Sequence, residues 1–339
     1  MDNSNIENKN PLFLGVYQPP NVNKIPILFT FCGLPGSGKS RLANGLFVDR
    51  SGIFNQPVVH SSDNLRKELY GDENDQTHNA EIFTELFKRV KEDLQNGIDV
   101  CLDATNISKK DRATVLHNIG KIPCYKVCVT MLTPYEDCLS YNKQRDRVVP
   151  DWVIKKMYMK WCPPSLDEGF DDIVLVYSYK NTDVSDYSLD NFLYGRISSC
   201  SIDQDNPHHT LTIGEHCKKA YKYVCEKAPE DIPLQFAALI HDCGKPFTKS
   251  RKNHKGEEDN FSHYYQHQCV GAYLSMFMSD ELGMPEVERV RVANLIYYHM
   301  HPLLSWRFSE KSKERDKRRI GQKMFDDIML LNKADRAAH

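Results

Sequence analysis

The segment that most constrains the fold is Gly33-Leu34-Pro35-Gly36-Ser37-Gly38-Lys39-Ser40, which directly follows the apolar run Ile27–Cys32. A strand, a glycine-rich turn and the start of a helix form the context that this phosphate-loop motif requires. The glycines allow backbone N–H groups to converge on phosphate oxygens at a helix N-terminus, which already favours anions. We therefore predict that this loop binds the phosphates of a nucleotide. The nucleotide-binding residues are expected to be Gly33, Gly36, Ser37, Gly38, Lys39 and Ser40.

Two side chains of the loop have individual roles in this prediction. Lys39 is expected to reach the β- and γ-phosphates, and the Ser40 hydroxyl is expected to hold Mg²⁺. The sequence thus predicts ATP or another NTP, together with Mg²⁺, as the ligand of this region.

Short β-rich runs continue to alternate with helical patterns as far as about residue 180. Residues 57–60, 100–102, 125–129 and 173–177 are predicted as further strands. Residues 80–95 are predicted as a helix, because their apolar residues fall on one face. Strands that are apolar on both faces and are separated by helices indicate a parallel sheet with helices on both faces. The predicted fold class of residues 25–180 is α/β.

The length of 339 residues is sufficient for two domains, each with its own core. We predict an N-terminal tail at residues 1–24, the α/β domain at 25–180, a polar linker at 181–205 and an all-α domain at 206–339. The last domain shows no convincing strand, and its charged run at residues 310–319 is predicted to be a solvated loop or helix face. Its predicted helices are residues 212–228, 233–242, 262–281, 285–301 and 322–337.

Composition restricts the partners and the compartment. The formal net charge is −2, so the chain as a whole does not attract nucleic acid or membranes, and a polyanion must be held by local basic groups. The 11 cysteines include no C-x-x-C pair and lie in apolar stretches, which is typical of buried free thiols in a reducing compartment. Neither an N-terminal signal peptide nor an apolar run of about 20 residues is evident. We expect a cytoplasmic protein without a membrane partner.

Asp63 and Arg66 are candidates for the acceptor side of a phosphoryl transfer. They lie in Ser61-Ser62-Asp63-Asn64-Leu65-Arg66, immediately after the second predicted strand of the α/β region. A carboxylate at the carboxyl end of a strand, beside a nucleotide, can take a proton from an attacking hydroxyl. Arg66 would fall on the same helix face and could bind an acceptor phosphate. The alternative is a helix N-cap followed by a solvent-facing arginine.

Two further segments follow the next strands. Thr105 and Asn106 come directly after the strand at residues 100–102 and are candidates for substrate binding. Arg145 and Arg147 lie in a basic segment before Pro150, which could close over the phosphates and stabilise transferring charge. The alternative for these arginines is an exposed loop in which they are only solvated.

The motifs of this region, taken in order, resemble the phage-type polynucleotide 5′-kinase family. The matching stretches are the phosphate loop, the Ser-Asp-x-x-Arg run that ends at Arg66, Asp103-Ala104-Thr105-Asn106, and residues 138–158. The resemblance implies that Asp63 is the general base for a polynucleotide 5′-hydroxyl, that Arg66 contacts the acceptor phosphate, and that Arg145 engages the donor. The sequence departs from the family at Tyr141, where another lid arginine is expected, and Arg147 is a candidate substitute.

Histidines are concentrated in the second half of the chain, where ten of the 13 lie between His208 and the C-terminus. His241-Asp242 ends an apolar helical run and is followed by Cys243-Gly244-Lys245. Two adjacent ligands immediately before a glycine suit a divalent cation in a pocket. A lone histidine on a helix is more often a structural or surface residue.

The ordered set of these residues resembles the HD-domain metal phosphohydrolases, over residues 206–339. By that resemblance His216, His241, Asp242 and Asp335 would bind one metal, while His267 and either His299 or His301 would complete a second site bridged by Asp242. Lys245 would neutralise the substrate phosphate in a metal-assisted hydrolysis. The residues do not distinguish Mn, Fe, Ni, Co and Mg as the one or two divalent metals.

The two resemblances together predict an α/β P-loop kinase domain followed by an all-α HD domain, similar to the kinase–HD enzymes of nucleic-acid repair. The expected activities are 5′-hydroxyl phosphorylation and removal of a 3′-phosphate or a 2′,3′-cyclic phosphate. Nucleic-acid ends are the expected partners. RNA is the preferred substrate, because only ribose forms the cyclic ester. A separate ligase is a candidate partner. Two alternatives remain, a small-molecule or nucleoside kinase fused to a nucleotidase and a non-catalytic nucleotide-sensing module.

Overall fold

The computed structural model describes residues 16–20, 25–73, 75–145, 147–178, 203–205 and 211–338. The chain divides into two compact units. The first comprises residues 1–106, 111–149 and 169–182, and the second comprises residues 107–110, 150–168 and 183–339. Each unit consists of several separate stretches of the chain. Residues 150–168 belong to the second unit, whereas the sequence assigns them to the first domain. The predicted domain boundaries stay a prediction.

The first unit is built around a five-stranded parallel sheet with the strand order β5-β6-β2-β7-β8. All five strands were predicted from the apolar runs. Their bounds are Ile27–Cys32 for β2, Val58–Ser61 for β5, Val100–Asp103 for β6, Tyr125–Leu132 for β7 and Asp172–Tyr177 for β8.

The central strand β2 is buried along its whole length, and its two faces contribute to different apolar clusters. Leu28 packs on one side with residues of the helix that precedes β6, whereas Phe29 and Phe31 pack on the other side with Leu42 of the helix that follows the phosphate loop. Burial on both faces explains the continuous apolar runs of the sequence. The α-helices described between residues 39 and 158 are Lys39–Gly45 (α1), Ser62–Tyr70 (α2), Asn79–Gln95 (α3), Lys109–Ile119 (α4), Tyr135–Asn142 (α5) and Asp151–Tyr158 (α6), of which α6 belongs to the second unit.

A second, smaller sheet was not predicted. It consists of Val16–Tyr17 (β1), Phe47–Arg50 (β3) and Ile53–Asn55 (β4), with β3 in the middle. The strands are two to four residues long, and β4 is exposed throughout. Neither a two-residue period nor a buried apolar run is therefore present to reveal them. Most of the predicted tail at residues 1–24 lies outside the described residues.

The second unit is mainly helical. Its helices after residue 210 are Ile213–Lys227 (α7), Ile232–Ile240 (α8), Lys245–Thr248 (α9), His267–Glu281 (α10), Glu286–Tyr298 (α11), His301–Leu304 (α12), Glu310–Ile320 (α13) and Gln322–Ala337 (α14). The five predicted helices are all present within a few residues of their predicted ends, except for the start of α10. The charged run is helical, as α13.

The expectation of an all-α second domain requires one correction. Ser250–Lys252 (β9) and Glu258–His263 (β10) form an antiparallel hairpin between α9 and α10. Helix α10 consequently begins at His267, five residues later than its predicted start at residue 262. Polar residues dominate β9, and β10 is exposed at three of its six positions, so neither strand has the apolar run that predicts a strand.

Helix α6 packs in the second unit through aromatic rings. Tyr158 and Trp161 both meet the buried Tyr273 ring edge-on, with centroid distances of 5.2 and 4.9 Å. Edge-to-face contacts of buried rings add to the stabilisation from burial of their area. These contacts account for the placement of residues 150–168 in this unit.

The structure bears on two further features, membrane-spanning helices and cysteines. No helix among the described residues is long and apolar enough to span a membrane.

The ten cysteines in the described part of the chain are free thiols, eight of them buried. This agrees with the prediction that they are core residues.

Candidate functional site

The phosphate loop closes tightly against its neighbours in the first unit. The Gly33 amide donates to the Thr105 carbonyl at 2.9 Å, and the Thr133 hydroxyl donates to the Ser37 carbonyl at 3.1 Å. Gly36 has a positive φ of 80°, and a Cβ at this position would overlap the Cys138 carbonyl oxygen. Only glycine meets both demands. The loop is therefore a rigid cradle at the start of α1.

Lys39 is folded over this cradle. Its Nζ donates to the Leu34 carbonyl at 2.8 Å and lies 3.5 Å from the Ser37 hydroxyl. Burial lowers the pKa of Lys39, and the charge of Arg145 lowers it further, whereas the nearby Asp103 raises it. Phosphate oxygens are stronger acceptors for an ammonium than a backbone carbonyl, so a nucleotide can take over these bonds. The Ser40 side chain is exposed, as a Mg²⁺ ligand needs to be.

Asp63 lies in the first turn of α2, whose N-cap is Ser61. Its carboxylate Oδ1 accepts from Arg66 Nη1 at 2.8 Å and lies 2.6 Å from Arg147 Nη1. Arg66 also donates to Asn79 Oδ1 at 2.7 Å, so the buried guanidinium is held between α2 and α3. The structure thus brings the candidate base together with the candidate acceptor contact and with one of the two lid arginines.

The end of β6 contributes Asp103 and the residues that follow it. Asp103 is buried opposite Ser61 of the neighbouring strand, which places it at the carboxyl edge of the sheet. The Asn106 side chain is buried, and its Nδ2 donates to the Phe31 carbonyl at 2.8 Å. Thr105, through its carbonyl, and Asn106, through its side chain, therefore support the loop and the strand before it. Their part in substrate binding stays a prediction.

The lid segment is anchored by a residue that sequence reasoning missed. Asn142 is fully buried, its Nδ2 donates to the Val149 carbonyl at 2.7 Å, and its Oδ1 accepts from the Val149 amide at 3.1 Å. This pair of bonds joins the end of α5 to Val149, and both Arg145 and Arg147 lie between these two residues in the sequence. An asparagine within an ordinary helical pattern gives no sequence signal for such a role, because it depends on the return of the chain at Val149.

The second unit contains a buried group of histidines and carboxylates. Two sets have ligand atoms within 4.8 Å of one another and could each hold a metal ion. The first set is His216, His241 and Asp242, and the second is Asp242, His267 and His299. Asp335 adds a carboxylate to the first set, with its Oδ1 3.0 Å from His216 Nε2 and 3.6 Å from His241 Nε2.

Helix ends position these side chains. His241 and His299 immediately follow α8 and α11, His267 opens α10, and His216 and Asp335 lie within α7 and α14. Gly244 permits the close approach of α10, because a Cβ at this position would overlap the His267 carbonyl oxygen. This explains the glycine that follows the His-Asp pair in the sequence.

Three of the imidazoles have the same hydrogen-bond arrangement. The Nδ1 atoms of His241, His267 and His299 lie 2.8, 2.8 and 2.6 Å from the backbone carbonyls of Ala238, Tyr264 and Ile296. Because a carbonyl only accepts, each Nδ1 carries the proton in the neutral ring, and each Nε2 presents a lone pair to the group. Such carbonyl contacts are the usual way in which proteins orient metal-binding histidines.

The Nε2 atoms face one another in pairs. The distance from His216 Nε2 to His241 Nε2 is 3.2 Å, and the distance from His267 Nε2 to His299 Nε2 is also 3.2 Å. Burial and the charges of neighbouring histidines lower the pKa of His299 to about 3, so this ring is neutral near pH 7. Imidazole nitrogens that face each other in a buried site beside carboxylates fit a cation between them, and the donor set suits a divalent transition metal.

Asp242 lies between the two sets and serves them with different oxygens. Its Oδ2 is 3.6 Å from both His216 Nε2 and His241 Nε2, whereas its Oδ1 is 3.3 Å from His267 Nε2 and 3.9 Å from His299 Nε2. Burial alone would raise the pKa of Asp242, but Lys245 and His241 outweigh it and hold the pKa well below its usual value. The carboxylate is ionised and placed to bridge two cations.

The structure separates the two histidines that the sequence could not rank. His299 belongs to the second set, whereas His301 does not. The His301 ring lies 4.6 Å from the Tyr298 ring and 5.8 Å from the Trp306 ring, and burial lowers its pKa to about 4. His301 therefore lies outside both candidate metal sets and is a half-buried residue that packs against aromatic rings. Residues 206–210, at the start of the region that resembles the HD-domain family, lie outside the described residues.

Comparison with known proteins places part of this architecture. Residues 28–164 match the AAA domain family. The matched residues cover less than half of the chain and include the phosphate loop, and the described C-terminal region is helical apart from its hairpin.

One curated relative and two solved structures are similar to parts of the chain. The A-adding tRNA nucleotidyltransferase of Deinococcus radiodurans is 29% identical over 143 residues, which cover 40% of this chain and 30% of that protein. The chain thus spans less than a third of the length of that relative. A chain of the Pnkp1/Rnl/Hen1 RNA repair complex aligns over 40% of this chain and 44% of its own, with a TM-score of 0.35 and 22% identity. A proposed kinase of Chloroflexus aurantiacus aligns over 49% and 93%, with a TM-score of 0.36 and 15% identity.

Proposed function

We propose that the chain is a bifunctional enzyme that heals broken nucleic-acid ends. The first unit would transfer the γ-phosphate of an NTP to a polynucleotide 5′-hydroxyl, and the second unit would remove a 3′-phosphate or open a 2′,3′-cyclic phosphate. The observation that carries the proposal is the placement of Asp242, whose two oxygens face two separate histidine pairs in a chain that also contains a phosphate loop. A protein that only senses nucleotides does not need ligands for two cations.

The kinase step is assigned to residues of the first unit. Asp63 accepts the proton of the attacking hydroxyl. The oxygen of that hydroxyl forms a bond to the γ-phosphorus, while the bond between the γ-phosphorus and the β-phosphate oxygen breaks. Arg66 holds the phosphate next to the acceptor hydroxyl, and Lys39 with Arg145 or Arg147 stabilises the charge of the transferring group. Because Arg147 is paired with Asp63, a donor nucleotide that draws Arg147 away also removes one of the two cations that contact the carboxylate.

The hydrolytic step is assigned to the second unit. His216, His241, Asp335 and Asp242 Oδ2 would hold one cation, and His267, His299 and Asp242 Oδ1 would hold the other. Bound divalent cations supply polarisation of the phosphoryl group and a water of lowered pKa. Lys245 lies 2.6 Å from Asp242 Oδ2, where its ammonium can bind a phosphoryl oxygen of the substrate. Water adds to phosphorus, and the ester oxygen leaves as the alcohol.

Three arguments favour RNA ends as the substrate. Cleavage that leaves a 5′-hydroxyl leaves the phosphate on the other end, so one break presents a substrate to each proposed site. A 2′,3′-cyclic phosphate forms only where a ribose 2′-hydroxyl is present. The curated relative is named for its action on tRNA. The healed ends, a 5′-phosphate and a 3′-hydroxyl or 2′-phosphate, are those that a separate ligase joins or processes further, and that ligase is the proposed partner.

A kinase of small molecules fused to a nucleotidase is the second candidate. The near-neutral net charge of −2 favours it, because a polynucleotide enzyme usually carries an excess of positive charge along its groove. This candidate predicts turnover of free nucleosides and nucleotides with no preference for polymers.

Single-site variants test the division of labour. We expect Asp63→Asn and Lys39→Ala to abolish 5′ phosphorylation of an RNA oligonucleotide and to leave 3′ dephosphorylation unchanged. Asp242→Asn should have the reverse effect. Glu92→Gln, an exposed carboxylate of α3, is the matched control and should leave both activities unchanged. Loss of both activities in one correctly folded variant would contradict two independent sites.

A further inference from the structure

Gln204 lies in the short described segment 203–205, which the sequence places in a polar connection between domains. This segment is nevertheless fixed to the second unit. Asp203 pairs with Thr212 in an antiparallel bridge, and the Ser262 amide donates to the Asp205 carbonyl at 3.0 Å. The Gln204 side chain is only 2% exposed. A buried polar side chain in a segment of linker composition indicates a specific interaction.

The hydrogen bonds of Gln204 define which way its amide points. Its Oε1 accepts from Lys245 Nζ at 2.7 Å, and its Nε2 donates to the Leu211 carbonyl at 3.2 Å. Because an ammonium only donates and a carbonyl only accepts, the reverse orientation of the amide would break both bonds. The Tyr264 hydroxyl donates to the Gln204 carbonyl at 2.6 Å and fixes the backbone as well. The amide oxygen is thus held at one position beside Lys245.

Lys245 occupies the junction between this segment and the proposed metal centre. Its Nζ is 2.6 Å from Asp242 Oδ2 and lies over the Tyr264 ring at 5.6 Å. Asp242 and Gln204 are the two acceptors that the described residues supply to it. The Lys245 ammonium has three N–H bonds in a tetrahedral arrangement around its nitrogen. Two of these bonds point toward the two acceptors, and this fixes the direction of the third. No acceptor among the described residues is recorded for that third N–H.

We propose that Gln204 is a positioning residue for the hydrolytic reaction and that segment 203–205 belongs to the active site. Gln204 holds the ammonium of Lys245 so that its third N–H is aimed at the phosphoryl oxygen of the substrate. Without this acceptor, Lys245 is directed by Asp242 alone and turns toward that carboxylate. The inference rests on the proposed hydrolase function and extends it to a residue outside the histidine and aspartate set.

Phosphate binding by the metal-loaded protein tests this proposal independently of turnover. Inorganic phosphate is titrated into the full-length protein loaded with Mn²⁺, and the dissociation constant is measured by calorimetry. Gln204→Met preserves the size of the side chain and removes its amide. We expect it to weaken phosphate binding about 10-fold, the scale of one lost hydrogen bond to a charged group, while the Mn²⁺ content measured by elemental analysis stays that of the wild type.

Gln235→Met is the matched control. Gln235 is also buried in the second unit, and its Nε2 donates to the carbonyls of Ala228 and Pro229, at 2.9 and 2.8 Å. Its replacement removes a buried amide without touching Lys245. Gln235→Met therefore measures how much the loss of a buried amide by itself affects stability and phosphate binding. We expect this variant to bind phosphate like the wild type.

A double-mutant cycle keeps the proposal testable if Gln204→Met is less stable. Lys245→Met should weaken phosphate binding at least as much as Gln204→Met, and the double variant should bind no more weakly than Lys245→Met alone. Additive losses, a Mn²⁺ content that falls together with phosphate binding, or wild-type affinity in Gln204→Met would each overturn the positioning role.

The failure of the proposed function is a separate result. If the wild-type protein neither binds phosphate nor hydrolyses a 3′-phosphate, then the hydrolase function and this inference fail together. If the wild type hydrolyses 3′-phosphates and Gln204→Met binds phosphate equally well, only the role of Gln204 is overturned.

Discussion

The guanidinium of Arg147 lies 2.6 Å from the carboxylate of Asp63. Asp63 is also paired with the buried Arg66, so the candidate base contacts two cations. Of these two, Arg66 is fixed by Asn79, whereas Arg147 belongs to the lid loop that Asn142 closes. Arg147 is therefore the cation that can move from the base to the donor phosphates. The arrangement supports the hypothesis that Arg147 replaces the lid arginine missing at Tyr141.

This arrangement predicts the effect of removing Arg147. We expect Arg147→Ala to lower the rate constant of 5′ phosphorylation about 100-fold, the usual effect of losing one charged stabiliser of the transition state. Single-turnover phosphorylation of a 5′-hydroxyl RNA measures the step directly. Lys143→Ala, an exposed cation of the same loop, serves as the control and should have little effect. A faster reaction in Arg147→Ala would show that Arg147 only restrains Asp63.

The separation of His299 from His301 predicts different metal contents. His299→Ala removes one of the ligands of the second set, so the content of bound divalent metal should fall. The loss should be about one ion per chain if the second site no longer binds metal. His301→Ala removes an aromatic-core contact and should lower the melting temperature while the metal content stays unchanged. Elemental analysis of both variants after equal metal loading and dialysis makes the comparison. Equal losses of metal in the two variants would contradict the assignment of His299.

An ion-pair cluster of the second unit predicts a pH dependence of stability. Burial alone would raise the pKa of Asp231, but bonds from Arg291 and Lys323 outweigh it and hold the pKa well below its usual value. A carboxyl whose folded-state pKa is depressed stabilises the fold above its unfolded pKa of about 3.9, and this contribution is lost as the pH falls toward the folded pKa.

The comparison of Asp231→Asn with the wild type tests that dependence. At pH 7 the variant should melt several degrees lower, and the difference in melting temperature should shrink as the pH is lowered below about 4. Asp326→Asn, an exposed carboxyl of α14, should show neither effect. A difference that is the same at every pH would contradict the ionic origin of the stabilisation.

The parts of the fold that could be predicted are those with a continuous physical signal. Burial of β2 on both faces requires a run such as Ile27–Cys32, and such runs revealed all five strands of the parallel sheet. Strand β4 is exposed at all three positions, and the hairpin of β9 and β10 is mostly polar, so their pairing depends on contacts that are distant in sequence. Pattern and propensity do not carry that information.

The candidate site shows the same division. The pair His241-Asp242 could be singled out from its ligand types before a glycine, whereas His216, His267 and Asp335 were expected only because the ordered set resembles the HD-domain family. The choice of His299 over His301 depends on the orientation of the residues that follow α11, and the role of Gln204 depends on how the chain returns to Lys245. The bond from Asn106 to the Phe31 carbonyl was not predicted, because a polar residue at a strand end can bind a substrate or support the neighbouring strand, and the sequence does not distinguish the two.

The most direct test of the account uses one RNA with both kinds of damaged end. The wild-type protein is given ATP, Mg²⁺ and Mn²⁺ with an oligonucleotide that has a 5′-hydroxyl and a 2′,3′-cyclic phosphate, and the product mass is measured. The account predicts the addition of one phosphate at the 5′ end, and opening of the cyclic ester or loss of its phosphate at the other end. Unchanged RNA, together with phosphorylation of free nucleosides or hydrolysis of free nucleotides, would contradict it.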